Sequence, residues 1–286
     1  MKISLFSLIL LVLLAPALAQ AQPRRPPPNM QDPRRLNPTE GEQFLEAFRR
    51  SGIPEPFAFR FNIQHLPRRG AGFQQSGEMW GVWDGHAQVS RLRLEGAREA
   101  ANDQHWLLAS NGEPRVWKRD AAPGREIDLA SGEALQRPFI EDTFFSAFDL
   151  LMPFRHWEDV IYEGVTRIRG RPVHRFLFYP PPEDPRYSGI GGVRASIDGD
   201  FNAILESEVL DEDGRTLRTM RVSRFRRVDD QWIVRQVDVT DERSRDRTRF
   251  EVVAAVVGLD WMPEVFDPQR LNEPLPTLPA GRMTVF

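Results

Sequence analysis

The chain has no cysteine. An exported chain without disulfides must take its stability from a core. The lipid-modified type of export signal, which needs a cysteine after the cut, is excluded. Positive charge is also short: 38 Lys and Arg stand against 41 Asp and Glu. With no net positive field to draw in phosphate, the balance argues against nucleic-acid binding. Catalytic signatures are missing too. There is no G-x-S-x-G elbow and no G-x-x-x-x-G-K-[ST] loop. Ser188, in "YSGIGG", sits at the wrong spacing and reads as a loop residue. His65, His86, His105, His156 and His174 are scattered, with no pair at i, i+4 spacing, so no metal site is expected. The acidic turns "DGD" (Asp198 to Asp200) and "DEDG" (Asp211 to Gly214) do not continue into a twelve-residue calcium loop. Asp149, Glu158 and Asp159 flank an apolar stretch, and capping and solvation account for them. No catalytic residue and no cofactor is expected, and a binding protein is favoured over an enzyme.

What is present begins with an address. Lys2 precedes the apolar run "ISLFSLILLVLLAPALA", and "ALAQAQ" offers small residues at cleavage spacing. Residues 1–21 read as a cleavable signal peptide, cut after Ala19 or Ala21. The run is short for a membrane span and no second one follows. Residues 22–38 form a proline-rich leader, extended or disordered. Residues 39–258 form one domain, and residues 259–286 a proline-rich tail that wraps the surface.

Inside the domain, Thr39 with Glu42 suggests a capping box. Phe44, Leu45 and Phe48 then share a helical face, and "SGIPEP" stops the helix. Period two follows. Phe57, Phe59, Phe61 and Ile63 alternate with Ala58, Arg60, Asn62 and Gln64 in a strand with one apolar face. Further short strands are joined by turn chemistry at "WDGH", "SNGEPR", "IRGRP", "DGDFN", "DEDGR", "VDDQ" and "DERSRD". Between Ser131 and Phe154 the pattern turns helical. Phe144, Phe148 and Leu151 share one face, Phe145 and Met152 sit beside it, Glu141 and Asp142 mark the helix start, and Pro153 its end. No βαβ alternation occurs. The fold class is therefore mainly β (α+β): a strongly curved antiparallel sheet with helices on its concave apolar face.

The stretch "FFSAFDLLMPFRHW" (Phe144 to Trp157) packs four phenylalanines, a tryptophan, two leucines and a methionine into fourteen residues. Such stripes are commonly core. Yet Trp80, Trp83, Trp106 and Trp117 add large rings to the first strands, more than a sheet closed by a short helix packs easily. Curved sheets enclose ligand cavities. Phe57, Phe59, Phe61, Trp80, Trp83, Trp106, Trp117, Phe144, Phe145, Phe148, Leu151, Met152, Phe154 and Trp157 are the candidate lining. At roughly 0.8 kcal/mol per buried CH₂, such a cavity would hold an acyl chain by burial alone.

From Phe148 to about Val252 the chain resembles the LolA-like outer-membrane lipoprotein-sorting proteins. The residues that carry the resemblance are "FDLLMPFRHWEDVIYEGVTRIRGRPVHRFLFYPPP", "YSGIGGVRASID", "ILESEVLDEDGRTLRTMRVSRFRRVDDQWIVRQVDVTD" and "RTRFEV". The resemblance implies an unclosed antiparallel β-barrel lidded by helices, here the segment from Glu141 to Trp157. It also implies a periplasmic, non-enzymatic carrier of lipoprotein acyl chains or other hydrophobic cargo, with envelope membrane proteins as possible partners. Arg60 and Arg91 are the candidates for the arginine that holds the family's lid closed. The alternative is a sensor or interaction domain of the same fold that binds a protein partner or a lipid signal.

Overall fold

The computed structural model describes residues 34–83, 88–96, 103–111, 113–120, 128–129, 132–260 and 262–286. The expected signal peptide, most of the leader and residues 84–86 of the "WDGH" turn lie outside the described residues. The first ordered element is helix α1, Pro38–Arg49. Its cap sits two residues earlier than the Thr39 pattern predicts. Asn37 accepts from Glu40 N–H, and the Glu40 side chain accepts from Asn37 N–H. Pro38 decides the register, because its fixed φ suits the first helical position, where no donor is needed.

Strands follow in chain order. They are β1 Phe57–Leu66, β2 Phe73–Trp83, β3 Gln88–Leu94, β4 Gln104–Asn111, β5 Glu113–Asp120 and β6 Asp128–Leu129. After the helical insert come β7 Val160–Ile168, β8 Arg171–Phe178, β9 Gly192–Asp198, β10 Ala203–Leu210, β11 Thr216–Val228, β12 Gln231–Asp241 and β13 Arg247–Val257. They form one antiparallel sheet that is not closed, in the order β6-β5-β4-β3-β2-β1-β13-β12-β11-β10-β9-β8-β7. Every neighbour is a chain neighbour except β1 with β13. A short final strand, β14 (Thr284–Val285), pairs with β13.

This order places β6 at one edge and β7 at the other. The insert between them joins the two edges of the sheet. It contains α2 (Gly132–Gln136), α3 (Ala147–Leu151) and a 3₁₀ turn at Pro153–His156. The helical stretch is shorter than its apolar spacing predicts. Pro138 and Ser146 form a β-bridge, and Glu141 and Asp142 lie in an exposed turn rather than at a helix start. Helix α3 starts at Ser146, whose N–H and hydroxyl both donate to Asp149 at 2.9 Å. It ends where Met152 turns left-handed at φ 46°, ahead of Pro153.

The two faces of the sheet carry different loads. Phe57, Phe59, Phe61 and Ile63 point to the face that carries α1 and the insert, within the main core. Two glycines on β2 make room for the rings. A Cβ at Gly81 would lie 2.2 Å from Phe57 Cζ, and one at Gly77 would lie 2.6 Å from Phe61 Cζ. On the opposite face, Ala58, Trp80 and Val256 pack against Val265 and Leu278. The last two belong to the C-terminal segment, whose prolines open short 3₁₀ turns at Pro263–Phe266 and Pro268–Arg270. Arg91, buried on β3, secures that segment. Its guanidinium donates to the carbonyls of Val265, Leu271 and Glu273. Burial pushes its pKa down to about 10, Arg270 adds to the fall, and Glu273 opposes it.

Candidate functional site

A cavity of about 730 Å³ lies between the inner face of the sheet and the helices. That volume is in the usual range for ligand clefts, about 300–1,000 Å³. One wall is Phe57 and Phe59 from β1, Met79 from β2 and Phe250 from β13. The facing wall comes from β10, β11 and β12, with Ile204, Met220, Val222, Ile233, Val234 and Val237. Phe145, Leu150 and Met152 of the insert form the roof, and Phe48 with Ser51, Gly52 and Ile53 closes the end at α1. Alternation places most of this lining, since residues two apart on a strand face the same way; Ile233 and Val234 are consecutive, beside a register shift between β11 and β12.

Polar groups in the roof are engaged in holding the roof itself. Asp149, already bonded by Ser146, lies 3.3 Å from Arg218 Nη2 of β11. The Arg218 guanidinium also stands 5.3 Å above the Phe148 ring. At the α1 end, two arginines exchange carbonyls. Arg155 of the insert donates to the backbone oxygens of Phe48, Arg49 and Ser51, at 3.0 Å and 2.7 Å for the latter two. Arg49 of α1 donates to Arg155 O at 2.7 Å and Trp157 O at 3.1 Å. Arg155 thereby caps the carbonyl end of α1, where a cation suits the helix dipole. Burial lowers its pKa to about 10. Beside it, burial and then the charges of Arg155 and Arg49 hold His156 below its ordinary value.

Of the residues singled out in the sequence, Phe57, Phe59, Phe145 and Met152 line this cavity. Leu151, Met152 and Trp83 border a smaller space of about 30 Å³ that shares Leu150, Met152 and Arg155 with the main cavity. The others are packed elsewhere. Phe61 lies against Phe250, and Trp106 against Phe139. Phe148, Phe154 and Trp157 form a ring cluster with Tyr187. Phe144 packs on the core, its N–H donating to Thr248 Oγ1 at 2.8 Å. Trp117 is half-buried on β5, opposite Leu107 and Leu129 and away from both cavities. Trp80 faces the opposite side of the sheet, because it is out of phase with Met79. Neither sequence candidate for a lid arginine touches the insert's roof. Arg60 is exposed beside Glu78, and Arg91 holds the C-terminal segment. Arg218 and Arg155 make the contacts to the insert.

Sequence reasoning missed the β10–β12 wall and the rim of the mouth. The rim holds Arg171, Asp198, Asp200, Phe201, Asn202 and Trp232. A ring beside turn residues, in "DGDFN" and "DDQW", was the available signal. Among the described residues no cluster of His, Asp and Glu could hold a metal ion. No described helix is long and apolar enough to cross a membrane.

A family model described as "-like: Uncharacterized protein" matches residues 121–273, more than half of the chain. The same region carries the insert, the far wall and the rim. Solved structures share this fold. A DUF1329 family protein from Desulfovibrio piger superposes with a TM-score of 0.69 at 15% identity, covering 84% of this chain and 100% of that one. An outer membrane lipoprotein-sorting protein domain from Vibrio parahaemolyticus gives 0.68 at 15% identity, covering 81% and 97%. A LolA superfamily protein from Nitrosomonas europaea gives 0.61 at 14% identity, covering 79% and 96%. The chain belongs to the family of that model, and its fold is LolA-like. The fold is shared with those structures over 79–84% of this chain, at identities that speak for the fold alone. A search of curated proteins finds no match.

Proposed function

We propose that this LolA-like chain is a periplasmic, non-enzymatic carrier that holds lipoprotein acyl chains or other hydrophobic cargo. The observation that carries the reading is the 730 Å³ cavity, walled by apolar side chains from both halves of the sheet. Burial of methylenes supplies the affinity, at roughly 0.8 kcal/mol each. The polar side chains of the roof support this reading, because their partners are structural. Asp149 is held by Ser146 and Arg218, and Arg155 by the end of α1. The insert from Glu141 to Trp157 acts as the lid. Displacing it breaks the Arg49–Arg155 exchange and the Asp149–Arg218 pair, and this gates release. The lipoprotein-sorting description of the Vibrio parahaemolyticus structure agrees with such cargo.

The test is to fill the cavity. Val222 faces Val237 across β11 and β12, and both line the cavity. Val222→Trp is expected to weaken binding of a fluorescent fatty acid about tenfold, or about 1.4 kcal/mol, while the melting temperature moves by a few degrees at most. Val234→Trp serves as the second filling variant. Wild-type protein that binds no acyl probe, and yields no extractable lipid by intact mass, would overturn the reading.

A further inference from the structure

Phe201 and Trp232 are 54% and 52% exposed, among the largest apolar side chains left in water. They are neighbours. Phe201 sits in the turn between β9 and β10, and Trp232 follows the turn between β11 and β12. Their rings meet edge to face at 6.3 Å. Both also line the cavity, so the exposed patch continues inward to Ile204 and Ile233. Arg171 braces the patch, 5.3 Å over the Phe201 ring and bonded to Asp198 at 2.7 Å.

We propose that this rim is a membrane-docking surface, and that it fits a zwitterionic, amine-bearing phospholipid surface. The proposal rests on the acyl-cavity reading. Two half-exposed rings with an indole N–H, set among charges, match the composition of side chains that reside at the headgroup level. A cavity mouth seated there passes an acyl chain between bilayer and protein without exposing it to water. Charge chooses the lipid. At the mouth Arg171, with Arg227 beside Asp230, stands against three carboxylates, Asp198, Asp200 and Asp230. Asp200 and Asp230 are well exposed; each has one arginine beside it, Arg171 at 3.8 Å and Arg227 at 2.5 Å, and the second oxygen of each can accept from a headgroup ammonium. An anionic surface meets net repulsion at the same place.

Vesicle flotation tests this. Wild-type protein is expected to float with phosphatidylethanolamine–phosphatidylcholine vesicles. Phe201→Ser combined with Trp232→Ser should cut the bound fraction at least fivefold, with circular dichroism confirming that it folds. Replacing a third of the lipid with phosphatidylglycerol should weaken wild-type binding at low salt, and added salt should restore it. Val222→Trp should float like wild type while losing the fatty-acid probe, which separates docking from cavity binding. Equal flotation of the double variant, or tighter binding to the anionic vesicles, overturns the proposal and leaves the carrier reading intact. A photoreactive residue in place of Phe201 gives the second readout in cells. A crosslink to phospholipid supports docking, and one to protein alone, including a second copy, overturns it.

Discussion

At Gly81 a single hydrogen decides whether a wall of the cavity can exist. The Phe57 ring occupies the space a side chain would take, with Cε1 2.6 Å from the position of a Cβ. Gly81→Ala must therefore push the ring off its rotamer. Overpacking of this kind costs about 1–3 kcal/mol, to be read from urea denaturation. Adding Phe57→Leu should recover part of the loss. If the alanine variant is as stable as wild type, the ring moves freely and Phe57 is not a fixed wall. This pairing was out of reach in the sequence. The alternation of phenylalanines on β1 was readable, but the facing strand and its register were not. The rim rings carry no signal of aromatic density. Phe201 and Trp232 are isolated in polar turns, and their importance comes from two turns that meet in space.

Among the elements, the insert is the one whose stability and proposed role coincide. Helix α3 has five residues, too few to persist alone. Its anchors are the ring cluster and the Asp149–Arg218 pair, with side-chain exposures of 4% and 15%. Removing one member of a buried pair leaves the other uncompensated, typically at about 3–5 kcal/mol. Asp149→Asn and Arg218→Met should each destabilise on that scale. The double variant should lose clearly less than the sum. Additive losses in a denaturation cycle would mean that the pair does not hold the insert. The existence of an apolar insert could be read from composition, and its end from Pro153. Its internal breaks could not, because the bridge between Pro138 and Ser146 depends on closure of that loop against the core. The β10–β12 wall was seen as strands but not as lining. Its aliphatic residues sit among polar and charged ones and give the ordinary signal of any half-buried sheet.

For the molecule as a whole, acid should act through a histidine that lines neither cavity. His105, on β4, has its pKa pushed down to about 4, first by burial and then by the charge of Arg91, with Arg93 and Arg119 adding and Asp103 opposing. The unfolded chain takes up the proton near pH 6.5, and the folded chain resists until about 4. Stability from this residue is therefore complete above pH 6.5 and declines as pH falls toward 4. His105→Gln should flatten that part of the melting-temperature profile relative to wild type. An unchanged slope would show that His105 does not couple folding to pH.

The joining of β6 to β7 through the insert has a mechanical corollary. The sheet's two free edges and its cover are one continuous length of chain. Coiled into short helices, that chain advances about 1.5 Å per residue, against about 3.3 Å when drawn out. Spreading the edges to admit a bulkier guest takes up this slack, and the helical turns of the insert are where it is stored. Girth and closure are then a single coordinate. On the carrier reading, a guest too wide for the trough would unspool its own cover, and the chain would recoil when the guest left.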